Sequence, residues 1–282
     1  MDTIGEQKTN KESEKTFFKR NGYLLVKNIY SADDINEVRS LFQFAFKNEI
    51  WKESKYSSKY IINDLYRIYP KLLDIIINKK YIEVVKSVLG ERVIWLPECS
   101  VHSNRFINWH KDTTEQEING INSHMNQNEF LLQCATYFQP NSISGGGLTV
   151  IPGSHFNNDR FLRLYEKSLL NRINNKIKKT LCISTFDKIN KFENAIQIQN
   201  EVGDLLIFDV RLDHKSTGTQ NSTTGIDKFA IFNTFGNDNR FTKEYLDFMK
   251  TRPEPYYQYL QTTKFPKQLY EKAASQNIKI WD

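Results

Sequence analysis

A histidine and an aspartate stand one residue apart in the segment Phe106–Glu117, FINWHKDTTEQE. Alternate residues of an extended chain point to the same side, so the imidazole of His110 and the carboxylate of Asp112 can bind one cation together. Such pairs also arise by chance, and alone this pair is weak support for a metal site. A third ligand has to come from elsewhere in a chain with five histidines.

His214 is the candidate third ligand, in the segment GDLLIFDVRLDHKSTGTQNS. A glycine-aspartate turn starts a strand of buried character, Leu205–Val210, which is expected to deliver His214 to its far end. Two imidazoles and one carboxylate form the facial triad typical of non-haem Fe(II) oxygenases, which leaves positions open for a co-substrate and O2. Without the H-x-D pair, a satisfied histidine at a strand end is the simpler interpretation.

The first third of the chain, which precedes these residues, is predicted to be helical apart from one early strand, Gly22–Ile29. Ser31 is predicted to cap an amphipathic helix, because acids follow it and apolar residues recur at helical spacing. Further helices are predicted over Pro70–Ile77 and Tyr81–Leu89, the latter closed by Gly90.

From Arg92 onward the pattern changes to short apolar or alternating runs separated by Gly, Asn and Pro. This pattern predicts a mainly β core, either an antiparallel barrel or a two-sheet jelly roll. The runs are RVIWL, EFLLQCATYF, GGLTVI, AIQIQ, DLLIFDV and KFAIFNTF.

The 282 residues are predicted to form one domain, because no Pro/Gly/Ser-rich linker interrupts them. Its predicted parts are a disordered tail (1–16), an N-terminal strand and helices (17–91), a core (92–240) with a helix-bearing insertion (154–189), and a helical C-terminal extension (241–282). The tyrosine-rich C-terminal segment suggests either a lid or an oligomer contact.

The formal charge of +6 and pI near 9.0 raise the question of nucleic-acid binding. The lysines are scattered and no nucleic-acid-binding motif is found, so no nucleic-acid partner is expected. A mildly basic enzyme for anionic small molecules explains the charge, and so does a lysine-rich surface without functional meaning.

The N-terminal segment has no apolar core of a signal peptide, and no apolar run approaches the roughly eighteen residues that span a bilayer. We therefore expect a cytoplasmic location without a membrane partner. Three cysteines, Cys99, Cys134 and Cys182, have no metal-like spacing and are expected to be reduced, mostly buried thiols.

Four segments together resemble the phytanoyl-CoA dioxygenase family of Fe(II)/2-oxoglutarate oxygenases, from about Phe17 to Gly236. Each is modestly specific, but their order and spacing carry the resemblance. The segments are FFKRNGYLLVKNIYSADDINEVRSLF, NWHKD, GGGLTVIPGSHF and GDLLIFDVRLDHKSTGTQNS.

The resemblance implies a double-stranded β-helix, the jelly-roll barrel of the cupins, buttressed by N-terminal helices. It implies that His110, Asp112 and His214 hold Fe(II), that 2-oxoglutarate chelates the iron, and that O2 takes the remaining position. The implied reaction converts 2-oxoglutarate and O2 to succinate and CO2 and hydroxylates a C–H bond. Halogenating relatives have a small residue in place of Asp112, so hydroxylation, desaturation or ring closure is favoured over halogenation.

The chain departs from the family at the far carboxylate of 2-oxoglutarate. Relatives place an arginine about a dozen residues after the distal histidine, whereas this chain has no arginine between Arg211 and Arg240. Lys228 is the natural substitute, since it supplies charge without the guanidinium fork, and Ser216 matches a family position that binds the same carboxylate. Weaker binding, a different 2-oxo acid, a loss of catalysis and an exposed strand-end Lys228 remain alternatives.

The remaining polar candidates are interpreted as structural. His155 is expected to support the scaffold, His102 and His124 have no partner at a meaningful spacing, and the glycine run Gly145–Gly147 is expected to form a tight turn. Arg105 is the exception, because it lies on the approach to His110 and could meet an anionic substrate.

The substrate is expected to be a small molecule, a specialised metabolite rather than a fatty acyl-CoA, because nothing resembles an adenine-nucleotide site. Its contacts are expected from Thr113–Glu129, Asn157–Ile189 and the C-terminal segment. The competing function is a cupin-like binding protein that keeps the barrel without turnover.

Overall fold

The structure is a computed structural model that describes residues 13–53, 57–63, 65–122, 128–142, 146–158, 194–218, 227–258 and 265–281. Its helices in these ranges are α1 (Glu14–Asn21), α2 (Ala32–Lys47), α3 (Leu72–Ile76), α4 (Lys79–Leu89), α5 (Thr114–Ile118), α6 (Arg240–Lys250), α7 (Pro255–Gln258) and α8 (Lys267–Ser275). Its strands are β1 (Tyr23–Val26), β2 (Ile61–Asn63), β3 (Val93–Ser103), β4 (Leu132–Tyr137), β5 (Leu148–Val150), β6 (Ile196–Gln197), β7 (Leu205–Asp209), β8 (His214–Ser216), β9 (Phe229–Asn237) and β10 (Lys279–Ile280).

The strands form a large and a small sheet. The large sheet has the order β1-β7-β4-β9-β3-β10, with β2 paired to β3, and the small sheet has the order β6-β5-β8. All pairs are antiparallel except β3 with β10. Side chains from both sheets line one cavity, which therefore lies between them.

One face of the large sheet lines the cavity and the other packs in the apolar core, because successive side chains of a strand point to opposite faces. One set of residues lines the cavity: Ser100, His102, Gln133, Tyr137, Phe208 and Phe232. Their neighbours in sequence belong to the apolar core shared with the helices: Cys99, Val101, Leu132, Cys134, Ile207 and Ile231. The same alternation thus builds the core and the site.

The helices cover the core face of the large sheet. Phe42 of α2 contacts the rings of Phe138 and Phe229 at centroid distances of 4.8 and 6.0 Å. Tyr81 of α4 packs against Phe235 of β9. Since fully burying such a ring stabilises a fold by about 1.5–3 kcal/mol, these contacts fix the helices on the sheet.

The N-terminal predictions agree with the structure except at their edges. Ser31 caps α2 through a capping box with Asp34, and Gly90 closes α4 at a φ of 85°. The first strand is shorter than predicted, because Gly22 ends α1 in the left-handed region. Helix α1 begins at Glu14, inside the segment predicted as a disordered tail; residues 1–12 lie outside the described ranges.

Two further predictions need correction. His214 does not lie at the end of the strand that precedes it: β7 ends at Asp209, a turn follows, and His214 begins β8 in the other sheet. The C-terminal extension is not only helical, because β10 adds a parallel strand to β3. The predicted insertion helix, His124 and Cys182 lie outside the described residues.

Among the described helices, none has the length and apolar character needed to cross a membrane.

Candidate metal centre

The structure brings His110, Asp112 and His214 together. Oδ1 of Asp112 lies 3.6 Å from Nε2 of His110 and 3.8 Å from Nε2 of His214. One candidate ligand atom from each residue lies within 4.8 Å of the other two. Two imidazole nitrogens and one carboxylate oxygen on one side of a cavity form the donor set of a non-haem iron site.

Backbone pairing holds the two histidines opposite each other. The N–H of His110 donates to the carbonyl of His214 at 3.0 Å, and the N–H of His214 donates back at 2.9 Å. His110 lies in an isolated antiparallel bridge rather than in a longer strand. The N–H of Asp112 donates to the carbonyl of Val210 at 2.8 Å, which ties the aspartate to the turn before His214.

Both histidines direct Nε2 toward Asp112 because Nδ1 is engaged elsewhere. Nδ1 of His110 lies 2.7 Å from the carbonyl of Asn108, and Nδ1 of His214 lies 2.9 Å from that of Leu212. A carbonyl only accepts hydrogen bonds, so each Nδ1 carries the proton and each Nε2 keeps its lone pair. This is the tautomer that a metal-ligating histidine needs.

The charges of the site suit a divalent cation. Burial raises the pKa of Asp112, but His214 and a hydrogen bond with His110 outweigh it and the pKa lies below its usual value. Burial and the neighbouring His110 lower the pKa of His214 to about 4. Oδ2 of Asp112 is buried and has no hydrogen-bond partner among the described residues. The ionised carboxylate of Asp112 with this buried oxygen, beside the neutral imidazole of His214, therefore fits a metal ion.

The three residues line a cavity of about 260 Å³ between the two sheets. Polar and apolar side chains both contribute to the remaining wall, which is the usual composition of a small-molecule site. Beyond the triad, this wall is formed by Ser100, His102, Arg105, Ile107, Lys111, Thr114, Glu115, Gln133, Tyr137, Leu148, Phe208, Ser216, Lys228, Phe232, Tyr245, Met249, Arg252 and Tyr257.

Lys228 and Ser216 meet in this wall. Lys228 is 4% exposed, and its Nζ donates to Oγ of Ser216 at 3.2 Å and to the carbonyl of Arg105 at 2.5 Å. Nζ also lies 4.7 Å from the ring centroid of Phe106. Burial, with a smaller contribution from Arg105, lowers the pKa of Lys228 to about 7. Within the described ranges no carboxylate is within ion-pair distance of Nζ, so an anionic ligand would complete its surroundings.

The interpretation of Lys228 as an exposed strand-end charge is therefore wrong. Lys228 directly precedes β9, is buried and lines the cavity. Arg105 also lines the cavity, as expected from its place before His110.

His155 has the scaffold position predicted for it. Its ring is buried, Nε2 lies 3.2 Å from the carbonyl of Lys19, and a Cβ on Gly22 would collide with the ring. Gly146 and Gly147 pack too closely against Pro140 and Asn141 to accept a side chain, whereas Gly145 lies outside the described residues. Cys99 and Cys134 are buried thiols that form no disulfide within the described part of the chain, as expected.

His102, for which the sequence predicts only a structural role, lies in the wall of the cavity. Its ring centroid lies 4.7 Å from that of Phe232, and in the pairing of β3 with β9 it stands opposite Ala230. Burial, together with Arg105 and Lys228, holds its pKa well below the usual value. The alternation of β3, in which Ser100 and His102 share a face, is the signal that identifies it.

The C-terminal extension, from which the sequence predicts substrate contacts, forms part of the cavity wall. Tyr245 and Met249 of α6 line the cavity, together with Arg252 and Tyr257 beyond it. Arg252 pairs with Glu254 at 2.7 Å and lies 4.7 Å from the ring centroid of Tyr257. The described part of this segment, for which the sequence suggests a lid or an oligomer contact, lies at the cavity.

Comparisons with known proteins agree with this geometry. A family model described as phytanoyl-CoA dioxygenase matches residues 18–226. None of the curated proteins matches the chain.

Solved structures of similar fold include proteins that bind iron, nickel or 2-oxoglutarate. EctD from S. alaskensis, solved with bound Fe, shares 16% identity over 91% of this chain and 82% of its own, with a TM-score of 0.53. HygX from Streptomyces hygroscopicus, solved with nickel and 2-oxoglutarate, shares 13% identity over 78% of this chain and 84% of its own, with a TM-score of 0.54. SnoN, a non-haem alpha-ketoglutarate-dependent epimerase from nogalamycin biosynthesis, shares 11% identity over 79% of each chain, with a TM-score of 0.54. These likenesses confirm the predicted jelly-roll fold.

Proposed function

This chain belongs to the phytanoyl-CoA dioxygenase family, and we propose that it is an Fe(II)- and 2-oxoglutarate-dependent oxygenase that hydroxylates a C–H bond of a small molecule. The observation that carries the proposal is the convergence of His110, Asp112 and His214 on the cavity that also holds Lys228. A cation site and a buried ammonium in one cavity suit a co-substrate that has both a metal-chelating end and a free carboxylate.

The three candidate ligands would hold Fe(II), as their donor set and tautomers favour. When bound, the iron supplies the redox chemistry by which 2-oxoglutarate and O2 yield succinate, CO2 and an oxidised substrate. Structures of EctD with 2-oxoglutarate and 5-hydroxyectoine and of HygX with nickel and 2-oxoglutarate support these ligands by analogy of fold.

Lys228 and Ser216 would bind the far carboxylate of 2-oxoglutarate. The ammonium contributes charge and the hydroxyl contributes a hydrogen bond, while the carbonyl of Arg105 holds the lysine in place. A lysine acts as a point charge and lacks the fork of arginine. The neighbouring Ser216 hydroxyl would supply part of the directionality that the fork otherwise gives.

The retained carboxylate of Asp112 supports an oxygenase outcome over halogenation, since it occupies the place that a halide would need. The cavity volume of about 260 Å³ lies below the range of about 300–1,000 Å³ that is usual for ligand pockets. With 2-oxoglutarate also in place, a compact metabolite fits better than a fatty acyl-CoA. Arg105 would attract an anionic group of that metabolite.

The test is succinate formation from 2-oxoglutarate with Fe(II) and O2, over a panel of compact substrates. Wild-type protein should form succinate, and His110→Ala should lose at least 100-fold of this activity. Asp204→Asn is the control and should keep succinate formation, because Asp204 is buried and does not line the cavity. Iron binding without any succinate would instead favour the cupin-like binding protein.

Mass spectrometry of the organic product decides the reaction type. Hydroxylation adds one oxygen atom from O2, whereas desaturation or ring closure removes two hydrogens. Epimerisation, the activity named for SnoN, would leave the mass unchanged.

A further inference from the structure

We propose that the buried pair of Lys111 and Asp213 is a positioning device for the metal site. Lys111 stands between two of the candidate ligands and Asp213 directly precedes the third. Nζ of Lys111 lies 3.8 Å from Oδ1 of Asp213, and both side chains are fully buried. The inference rests on the proposed iron site and assigns a task to two residues that would not touch the metal.

Lys111 is fixed by more than its ion pair. Its Nζ donates to the carbonyls of Ser154 and Asn157 at 2.8 and 2.7 Å, and its N–H donates to Oγ1 of Thr114 at 3.0 Å. The ammonium therefore ties the segment that carries His110 to the turn at residues 154–157.

Asp213 is fixed to the same turn. Its N–H donates to Oγ of Ser154 at 2.8 Å, and its carbonyl accepts from the N–H of Ile151 at 3.0 Å. Both ligand-bearing segments thus share one anchor, with Ser154 in contact with each. The pair of charges connects the two segments directly, beside the backbone bridge between His110 and His214.

Two fully buried charges are a costly way to join two segments, since apolar residues of similar volume often give equal or higher stability. The charged pair differs from an apolar pair in its directionality: Nζ has fixed acceptors in the carbonyls of Ser154 and Asn157, and the Asp213 carboxylate 3.8 Å away supplies the opposite charge that favours the buried ammonium. We infer that the pair sets the spacing of the ligands more precisely than packing would. Partners of metal ligands commonly change metal affinity 10–100-fold when replaced.

The test separates this role from a purely structural one by replacing both charges at once. The double variant Lys111→Met/Asp213→Leu removes the charges and keeps apolar volume, so thermal unfolding should show a melting temperature near that of wild type. Co(II) is the probe, with its dissociation constant measured by titration and its coordination by the visible absorption spectrum at saturation.

The expected result is a Co(II) dissociation constant at least 10-fold higher than wild type, with an altered spectrum, although the melting temperature is retained. A double variant with wild-type affinity and spectrum would overturn the proposal. If the double variant does not fold, Asp213→Asn keeps the volume and the hydrogen bonds of Lys111, and should also weaken Co(II) binding about 10-fold. Wild-type affinity in Asp213→Asn would be equally contradictory.

Asp204 offers a matched control. Its carboxylate is 2% exposed, pairs with Lys27 at 2.7 Å and does not line the cavity. Asp204→Asn should lower the melting temperature without changing Co(II) affinity or spectrum. If wild-type protein bound no Co(II), the metal site itself would be refuted. If the Lys111/Asp213 variants bound Co(II) as wild type does, only the positioning role would be refuted.

Discussion

His110 and His214 pair through their backbones, with the N–H of each donating to the carbonyl of the other at 3.0 and 2.9 Å. Their ring centroids lie 4.2 Å apart. Because the loop that carries His110 meets the small sheet at this point, backbone hydrogen bonds of the fold itself hold the two imidazoles side by side. Such preorganisation favours tight and specific metal binding.

Metal binding should stabilise the folded chain. A divalent ion at 100 times its dissociation constant adds about 2.7 kcal/mol to the free energy of unfolding. Anaerobic thermal unfolding with Fe(II) or Mn(II) should therefore show a higher melting temperature, which a chelator reverses. His214→Ala should remove the increase, and an equal increase in that variant would place the metal elsewhere.

Replacing Lys228 should weaken 2-oxoglutarate binding selectively. A hydrogen bond to a charged group contributes about 1.5–3 kcal/mol, so Lys228→Met should raise the dissociation constant of 2-oxoglutarate about 10- to 150-fold. The metal dissociation constant should change less than twofold, because Lys228 does not contact the triad. An unchanged KM for 2-oxoglutarate would refute the assignment of Lys228.

Binding of 2-oxoglutarate should depend on pH through Lys228. Burial lowers the pKa of this lysine to about 7, so the unliganded protein loses the ammonium as pH rises above about 7. The dissociation constant of 2-oxoglutarate should then increase by up to tenfold per pH unit. Lys228→Arg is the control, because arginine keeps its charge; the same pH dependence in that variant would exclude Lys228 as the cause.

Lys228 should also lower the stability of the unliganded protein. Its pKa in the folded state, about 7, lies below the ordinary value of 10.5, so the unfolded state binds more protons between these values and stability rises with pH there. Urea unfolding should show Lys228→Met to be more stable than wild type at pH 6, by a margin that shrinks towards pH 10. An equal margin at both pH values would contradict the shifted pKa.

The residues predicted from sequence are those whose signal is local. The H-x-D spacing and the apolar strand before His214 identify the triad, because a strand pattern indicates which side chains share a face. Lys228 and Ser216 needed the family's pattern as well, since Lys228 precedes β9 of the large sheet, Ser216 lies in β8 of the small sheet, and the two meet where the sheets face each other.

The residues that the sequence did not reveal depend on distant contacts. Lys111 and Asp213 have no local pattern; the backbone bridge between His110 and His214 and the shared turn at Ser154 bring them together. The sequence predicts that the C-terminal segment contributes substrate contacts, but which of its residues line the cavity follows from how α6 packs there, which helical periodicity leaves open. Strand β10 has two residues, too few for a pattern to predict.

The most direct test of the iron site is anaerobic equilibrium dialysis of labelled 2-oxoglutarate with and without Fe(II). Wild-type protein should bind one 2-oxoglutarate per chain when Fe(II) is present, and binding should weaken at least 10-fold without the metal and in Asp112→Ala. Equal binding of 2-oxoglutarate with and without Fe(II), or unchanged Fe(II)-dependent binding in Asp112→Ala, would contradict a site formed by His110, Asp112 and His214.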